Sequence, residues 1–239
     1  DRLRSRGLGD VYKRQVIGDM TKRPRYQGAG SSTINPYRLT NLLDCLKEQG
    51  IECSYAQGYE RVESENDVTL REEAIKVAKN SELVILCVGL TENFESEGMD
   101  RFTLDIPANQ NKLIEEICKV NKKVVIVLSN GSPILMPWKD NVQAIITGYL
   151  GGEAGAEAMV NCLTGKVNPS GKLAETYPLS LEDTPCYNYY PGTEVSVEYK
   201  ESIYVGYRYY DKISKNVLFP FGYGLSYTSY EYSNFKVNR

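Results

Sequence analysis

Six apolar residues in succession, Leu83, Val84, Ile85, Leu86, Cys87 and Val88, limit the architecture of this chain more than any other stretch. A strand of that kind has no face for water and must be covered on both sides. Residues 124–128 repeat the pattern, residues 51–56 and 144–147 are shorter strand candidates, and Val16 and Ile17 read as the end of another. Between them the apolar spacing turns helical. Leu39, Leu42, Leu43 and Leu46 form one stripe with Gly50 as its stop; Leu70, Ala74, Val77 and Ala78 form a second. Leu113, Ile114, Ile117 and Cys118 form a third, opened near Pro107, and residues 154–163 a fourth, closing at Gly165. Alternation of this kind specifies an α/β fold, a three-layer sandwich with a mainly parallel sheet flanked by helices. Such sheets take ligands at the carboxyl ends of their strands. The polar loops at 19–35, 89–105 and 129–141 follow strands and are the places to look for chemistry.

The composition changes after about residue 165. Tyr187, Tyr189, Tyr190, Tyr199, Tyr204, Tyr207, Tyr209 and Tyr210 crowd together among turn signals. The expectation is an extended Tyr-rich C-terminal tail lying over the sheet, most of its rings simply packed. Residues 1–15 share neither the composition nor the periodicity of residues 16–228. They are read as foreign to the domain or as a disordered basic arm, leaving 16–228 as the domain. Residues 230–237 alternate aromatic and polar side chains, so 229–239 reads as the first strand of a truncated fibronectin type III-like domain.

Composition removes several chemistries. The chain has 239 residues, 41% of them hydrophobic, a net charge of −3 and no histidine. Ser-His-Asp and Cys-His catalysis and His-ligated zinc are therefore excluded within it. The mild charge gives no reason to expect nucleic acid or an anionic membrane as partner, and no apolar run nears the ~18 residues of a membrane span. The six cysteines form no C-x-x-C pair and lie mostly in core-like runs, which leans towards a reducing compartment. No cofactor and no metal is expected. Acid/base work falls to carboxylates, Lys, Tyr or Cys.

The loop at 91–101 is the strongest candidate, since it leaves the most apolar strand and holds Glu92, Glu95, Glu97 and Asp100 with Gly98 and Arg101. A general acid needs a carboxyl that reaches a leaving oxygen while protonated. Gly98 would let backbone come close beside Glu97, and Asp100 and Arg101 would hold the loop, paired with each other or with neighbours. Read by residue type alone, the same loop is also a solvated acidic turn. The run Gly28-Ala29-Gly30-Ser31-Ser32 admits a phosphate-cradling reading, but Thr33 stands where a dinucleotide fingerprint needs glycine.

Glu97-Gly98-Met99-Asp100-Arg101, followed by Leu104-Asp105-Ile106-Pro107 and Asn109-Gln110, resembles a signature of family 3 glycoside hydrolases, the β-glucosidases and their relatives. Four further stretches resemble that family in the expected order: residues 25–36, 168–178, 204–211 and 219–227. The resemblance implies that Glu97 is the general acid/base of a retaining enzyme acting on a β-linked oligosaccharide or glycoside. It implies that Arg25, Gln27, Ser31 and Ser32 lie on the leaving-group side, each equally readable as loop bracing, and Trp138 after Pro137 as a stacking or a packing ring. It also implies a partner, an N-terminal (β/α)8 barrel of the same protein bearing the nucleophilic Asp in a Ser-Asp motif. No Ser-Asp dipeptide occurs in these residues, so the chain by itself is expected to be inactive. A non-catalytic carbohydrate-binding module is the alternative. Gly151-Gly152-Glu153 departs from the family pattern near the leaving-group side, and Glu201-Ser202 departs from it before residue 204.

Overall fold

A computed structural model describes residues 13–237. Five strands, β1 (Arg14–Ile17), β2 (Cys53–Ala56), β3 (Leu83–Gly89), β4 (Val124–Ser129) and β5 (Ala144–Thr147), form one sheet in the order β2-β1-β3-β4-β5. Every pairing is parallel, so each connection crosses a face of the sheet, and α1 (Leu42–Glu48), α2 (Asp67–Lys79), α3 (Ala108–Val120) and α4 (Gly155–Leu163) cover those faces.

Strand β3 shows why the order is stable. All seven of its residues are buried. Leu83, Ile85 and Cys87 enter a core with Leu42, Cys45 and Leu46 of α1 and Val160 and Leu163 of α4. Val84, Leu86 and Val88 point the other way, to Ala74 and Ala78 of α2 and Leu113, Ile114 and Ile117 of α3. The period-two alternation of a strand thus feeds two cores, and the sandwich has three layers. Each fully covered Leu or Ile contributes roughly 1.5–3 kcal/mol relative to exposure.

The helix starts and the links between elements rest on side chains. Asn41 accepts from Asp44 N–H at 3.0 Å, which starts α1 at Leu42 and leaves Leu39 outside it, exposed. In α2 the covered positions are Asp67, Arg71, Ala74 and Ala78, so the stripe is rotated from the expected one and Leu70 and Val77 are only half-buried. Gln110, in the first turn of α3, accepts the Gly89 N–H at 2.8 Å and ties that helix to the end of β3.

Three expectations need correction. Arg14 and Gln15 belong to β1, paired with Cys53 and Ser54 on one side and Leu83 and Val84 on the other, so the boundary after residue 15 cuts a strand. The rest of that reading, residues 1–12, lies outside the described residues. The tail contains a helix, α5 (Tyr207–Ile213), and four of its eight crowded tyrosines, Tyr187, Tyr190, Tyr199 and Tyr204, are exposed. Residues 229–237 form no strand, because no neighbouring backbone among the described residues pairs with them.

The tail is fastened by its own motifs. Residues 173–177 run against 218–223, with Leu173 N–H donating to Tyr223 carbonyl and an antiparallel bridge between Tyr177 and Phe219. Asn168 binds Ser226 and Tyr227, and Tyr177 is buried in the α2/α3 core with its hydroxyl accepting from Asn130.

Candidate active site

Leaving β1 the chain turns to one side, to β2, and then crosses to the other side of β1 to form β3. That reversal makes the ends of β1 and β3 the switch point of the sheet, the place where open α/β sheets bind ligands. The Gly28–Thr33 turn follows β1 and the acidic loop follows β3, so the two stretches singled out in the sequence meet there.

They meet through Glu97. Its N–H donates to Ala29 carbonyl at 3.1 Å, and its carboxylate Oε2 accepts Ser31 N–H at 2.5 Å. The side chain is exposed at the open end of the sheet. The Ser31 hydroxyl, and after it the Ser31 N–H, hold the Glu97 carboxyl below the usual glutamate range. Gly30 makes this contact possible. Its φ is +105°, and a Cβ there would lie 2.5 Å from Glu97 Cβ and 2.7 Å from Oε2.

The other acids of the loop are anchors. Glu92 pairs with Arg61 at 3.1 Å, and Arg61 also reaches buried Asp19 at 2.9 Å, next to Arg23. Glu95 pairs with buried Arg25 at 3.0 Å. Asp100 accepts the Tyr190 hydroxyl at 2.7 Å, which lifts the Tyr190 pKa and brings the tyrosine-rich tail onto this loop. Arg101 donates through Nη1 to Ser132 Oγ and Pro133 carbonyl, both at 2.8 Å, so it grips the loop after β4 and does not pair with Asp100. Burial lowers its pKa, opposed by Glu95 and Asp105.

Several expected site residues prove to be scaffold. Arg25 is 3% exposed and spends its guanidinium on Leu90 and Thr91 carbonyls and on Glu95. Gln27 closes its own loop by bonding Ile34 N–H and carbonyl, both at 3.0 Å. Trp138 is 1% exposed in the α2/α3 core, its indole N–H satisfied by Asn111 at 2.9 Å, and cannot stack on a ligand. Gly98 has open space around it, so its need for glycine comes from a φ of +73° and not from close approach. Ser31 and Ser32 stay on the exposed rim beside Glu97. Glu153, in the stretch that departs from the family pattern, is exposed; its carboxylate accepts Tyr37 N–H and its carbonyl accepts from Thr40. Reading by residue type missed Glu95, Ser132, Asp19 and Arg61, which bond to one another and to other loops across 31 to 70 positions of the chain. Among the described residues no group of three or more His, Cys, Asp or Glu is placed to hold a metal ion, and no helix is long and apolar enough to cross a membrane.

The thermostable β-glucosidase B of Acetivibrio thermocellus is 47% identical over 228 residues, covering 94% of this chain and 30% of that protein. An exo-α-(1→6)-L-arabinopyranosidase of Bifidobacterium breve is 46% identical, covering 93% and 30%. The chain therefore spans about a third of the length of these relatives. The crystal structure of a Bifidobacterium adolescentis GH3 β-glucosidase superposes with a TM-score of 0.87 at 45% identity, covering 91% of this chain and 32% of that one. The model of the glycosyl hydrolase family 3 C-terminal domain matches residues 10–227, and the chain belongs to that family.

Proposed function

We propose that this domain supplies the general acid/base, Glu97, to a retaining exo-glycosidase of β-glucosidase type whose nucleophilic carboxylate comes from a facing (β/α)8 module. One observation carries the reading. Glu97 is exposed at the switch point of the sheet and bound to the Ser31 turn, while Glu92 and Glu95 are engaged with arginines and Asp100 with the Tyr190 hydroxyl. The β-glucosides and α-L-arabinopyranosides in the relatives' names share an equatorial anomeric bond, which is the bond we assign to the substrate.

In the first step the facing carboxylate attacks the anomeric carbon, and Glu97 gives its proton to the leaving oxygen. In the second, Glu97 takes a proton from water as that water displaces the carboxylate. The two carboxyls of such a pair stand ~5–5.5 Å apart. Ser31 serves the second step, since donors to Oε2 favour the ionised form. The first step needs that grip weakened or outweighed, and a facing surface that removes water does this.

The test is a hybrid protein in which residues 13–228, with β1 whole, replace the matching domain of the Acetivibrio enzyme. The hybrid should hydrolyse aryl β-glucosides. Glu97→Gln should lose ~10²–10⁴-fold in rate on poor leaving groups and much less on dinitrophenyl glucoside. Added azide should then yield a β-glycosyl azide, because a small nucleophile needs no base. Equal loss on every leaving group, with no azide product, would overturn the assignment.

A further inference from the structure

Glu97 and Glu95 stand two residues apart and differ in every contact. Glu95 turns inward. Its Oε2 accepts Arg25 Nη1 at 3.0 Å and Gly131 N–H at 2.9 Å, and its Oε1 accepts the Ser132 hydroxyl at 2.5 Å. Its backbone carbonyl accepts Arg25 Nη2 at 2.9 Å. The Ser132 oxygen accepts in turn from Arg101 Nη1. One carboxylate therefore joins the loop after β1, the loop after β4 and both arms of its own loop. The fit is close: a Cβ on Gly131 would lie 2.9 Å from each Glu95 oxygen. Arg25, Arg101 and, with opposite sign, Glu175 are the charged groups around it. Three donors satisfy a carboxylate as an anion, and charge-assisted bonds are the strong ones.

We propose that Glu95 is the positioning residue of this site: it clamps three loops together and thereby sets where Glu97 stands against Ser31. Its catalytic consequence rests on Glu97 being the acid/base; its structural consequence does not. Glu95→Gln keeps the shape but removes the charge and turns an acceptor into a donor opposite N–H and O–H groups. The loop should then drift, and a misplacement near 1 Å costs on the order of 10²-fold in rate.

Two measurements separate the claims. The first uses the 239-residue chain and NMR. In Glu95→Gln the Ser31 amide should exchange about tenfold faster or more, and the Glu97 carboxyl should titrate higher than in the parent. Unchanged exchange and titration in a folded Glu95→Gln chain would overturn the proposal. If that variant does not fold, Ser132→Ala decides, since it removes one donor and the Arg101 link without touching charge. A smaller change in the same direction supports the clamp, and parent-like behaviour overturns it. The second uses the hybrid: Glu95→Gln should lower kcat on poor leaving groups about 10²-fold with KM within about 2-fold, and Glu95→Asp should recover part of it. A loss in KM alone would overturn the positioning role. Should Glu97→Gln fail its own test, the NMR result on Ser31 still judges Glu95.

Discussion

At the scale of single residues, the contact between Gly30 and Glu97 is the tightest constraint in the candidate site. An alanine at 30 would meet Glu97 Cβ at 2.5 Å and would hold a backbone φ of +105° that side chains rarely adopt. Both effects push the same way. Gly30→Ala should cost about 1 kcal/mol or more of stability by chemical denaturation. In the hybrid it should reduce kcat/KM about 10–10²-fold. Unaltered kinetics would mean that Glu97 works from a position free of this turn. Glu97 was legible in the sequence because Glu-Gly-x-Asp-Arg is a local pattern. Glu95 was not, and read as a loop charge, because its meaning lies in Arg25, seventy residues upstream, and in Ser132, 37 downstream. Trp138 misled for a related reason. The residues beside it say loop, and only Asn111 of α3 shows that the ring is core.

At the scale of elements, legibility followed burial. β3 and β4 announced themselves because both faces are covered, which forces an unbroken apolar run. Their ends fell within one residue of the expected ones. β1 was half hidden, since Arg14 and Gln15 carry no apolar signal. Gln15 is nonetheless buried, its amide oxygen accepting the Ser54 hydroxyl at 2.5 Å. α5 was hidden too: Tyr-Arg-Tyr-Tyr has no helical apolar period, and only Tyr210 is buried. The order β2-β1-β3-β4-β5 depends on which faces the helices cover, and no single segment states it. The two cores that meet on β3 yield a direct prediction. Leu86→Ala, emptying a fully covered site between α2 and α3, should cost about 2–5 kcal/mol. Val68→Ala on the outer face of α2, 50% exposed, should stay within about 0.5 kcal/mol. Urea midpoints of the two variants decide. Equal costs would mean that β3 is not the shared wall of two cores.

At the scale of the whole molecule, the candidate acid is in the wrong electrostatic state for its first task. Glu97 is exposed, and both causes that move its pKa appreciably, the Ser31 hydroxyl and N–H, push it down. A carboxyl so placed is ionised at neutral pH and has no proton for a leaving group. The facing module we propose would change both conditions. It removes water, which penalises the charged form, and it brings a second carboxylate, which repels the first. Each raises the pKa of Glu97, and closure between carboxyls ~5–5.5 Å apart makes the second effect unavoidable. The alkaline limb of kcat/KM reports the acid in the free assembled enzyme. In the hybrid that limb should lie above the Glu97 pKa measured by carbon NMR in the lone chain. Ser31→Ala, by removing one of the two depressing donors, should raise the lone-chain value and move the limb further up. A limb that coincides with the lone-chain titration would show that assembly leaves Glu97 in its resting environment, and the proton would then have to come from elsewhere.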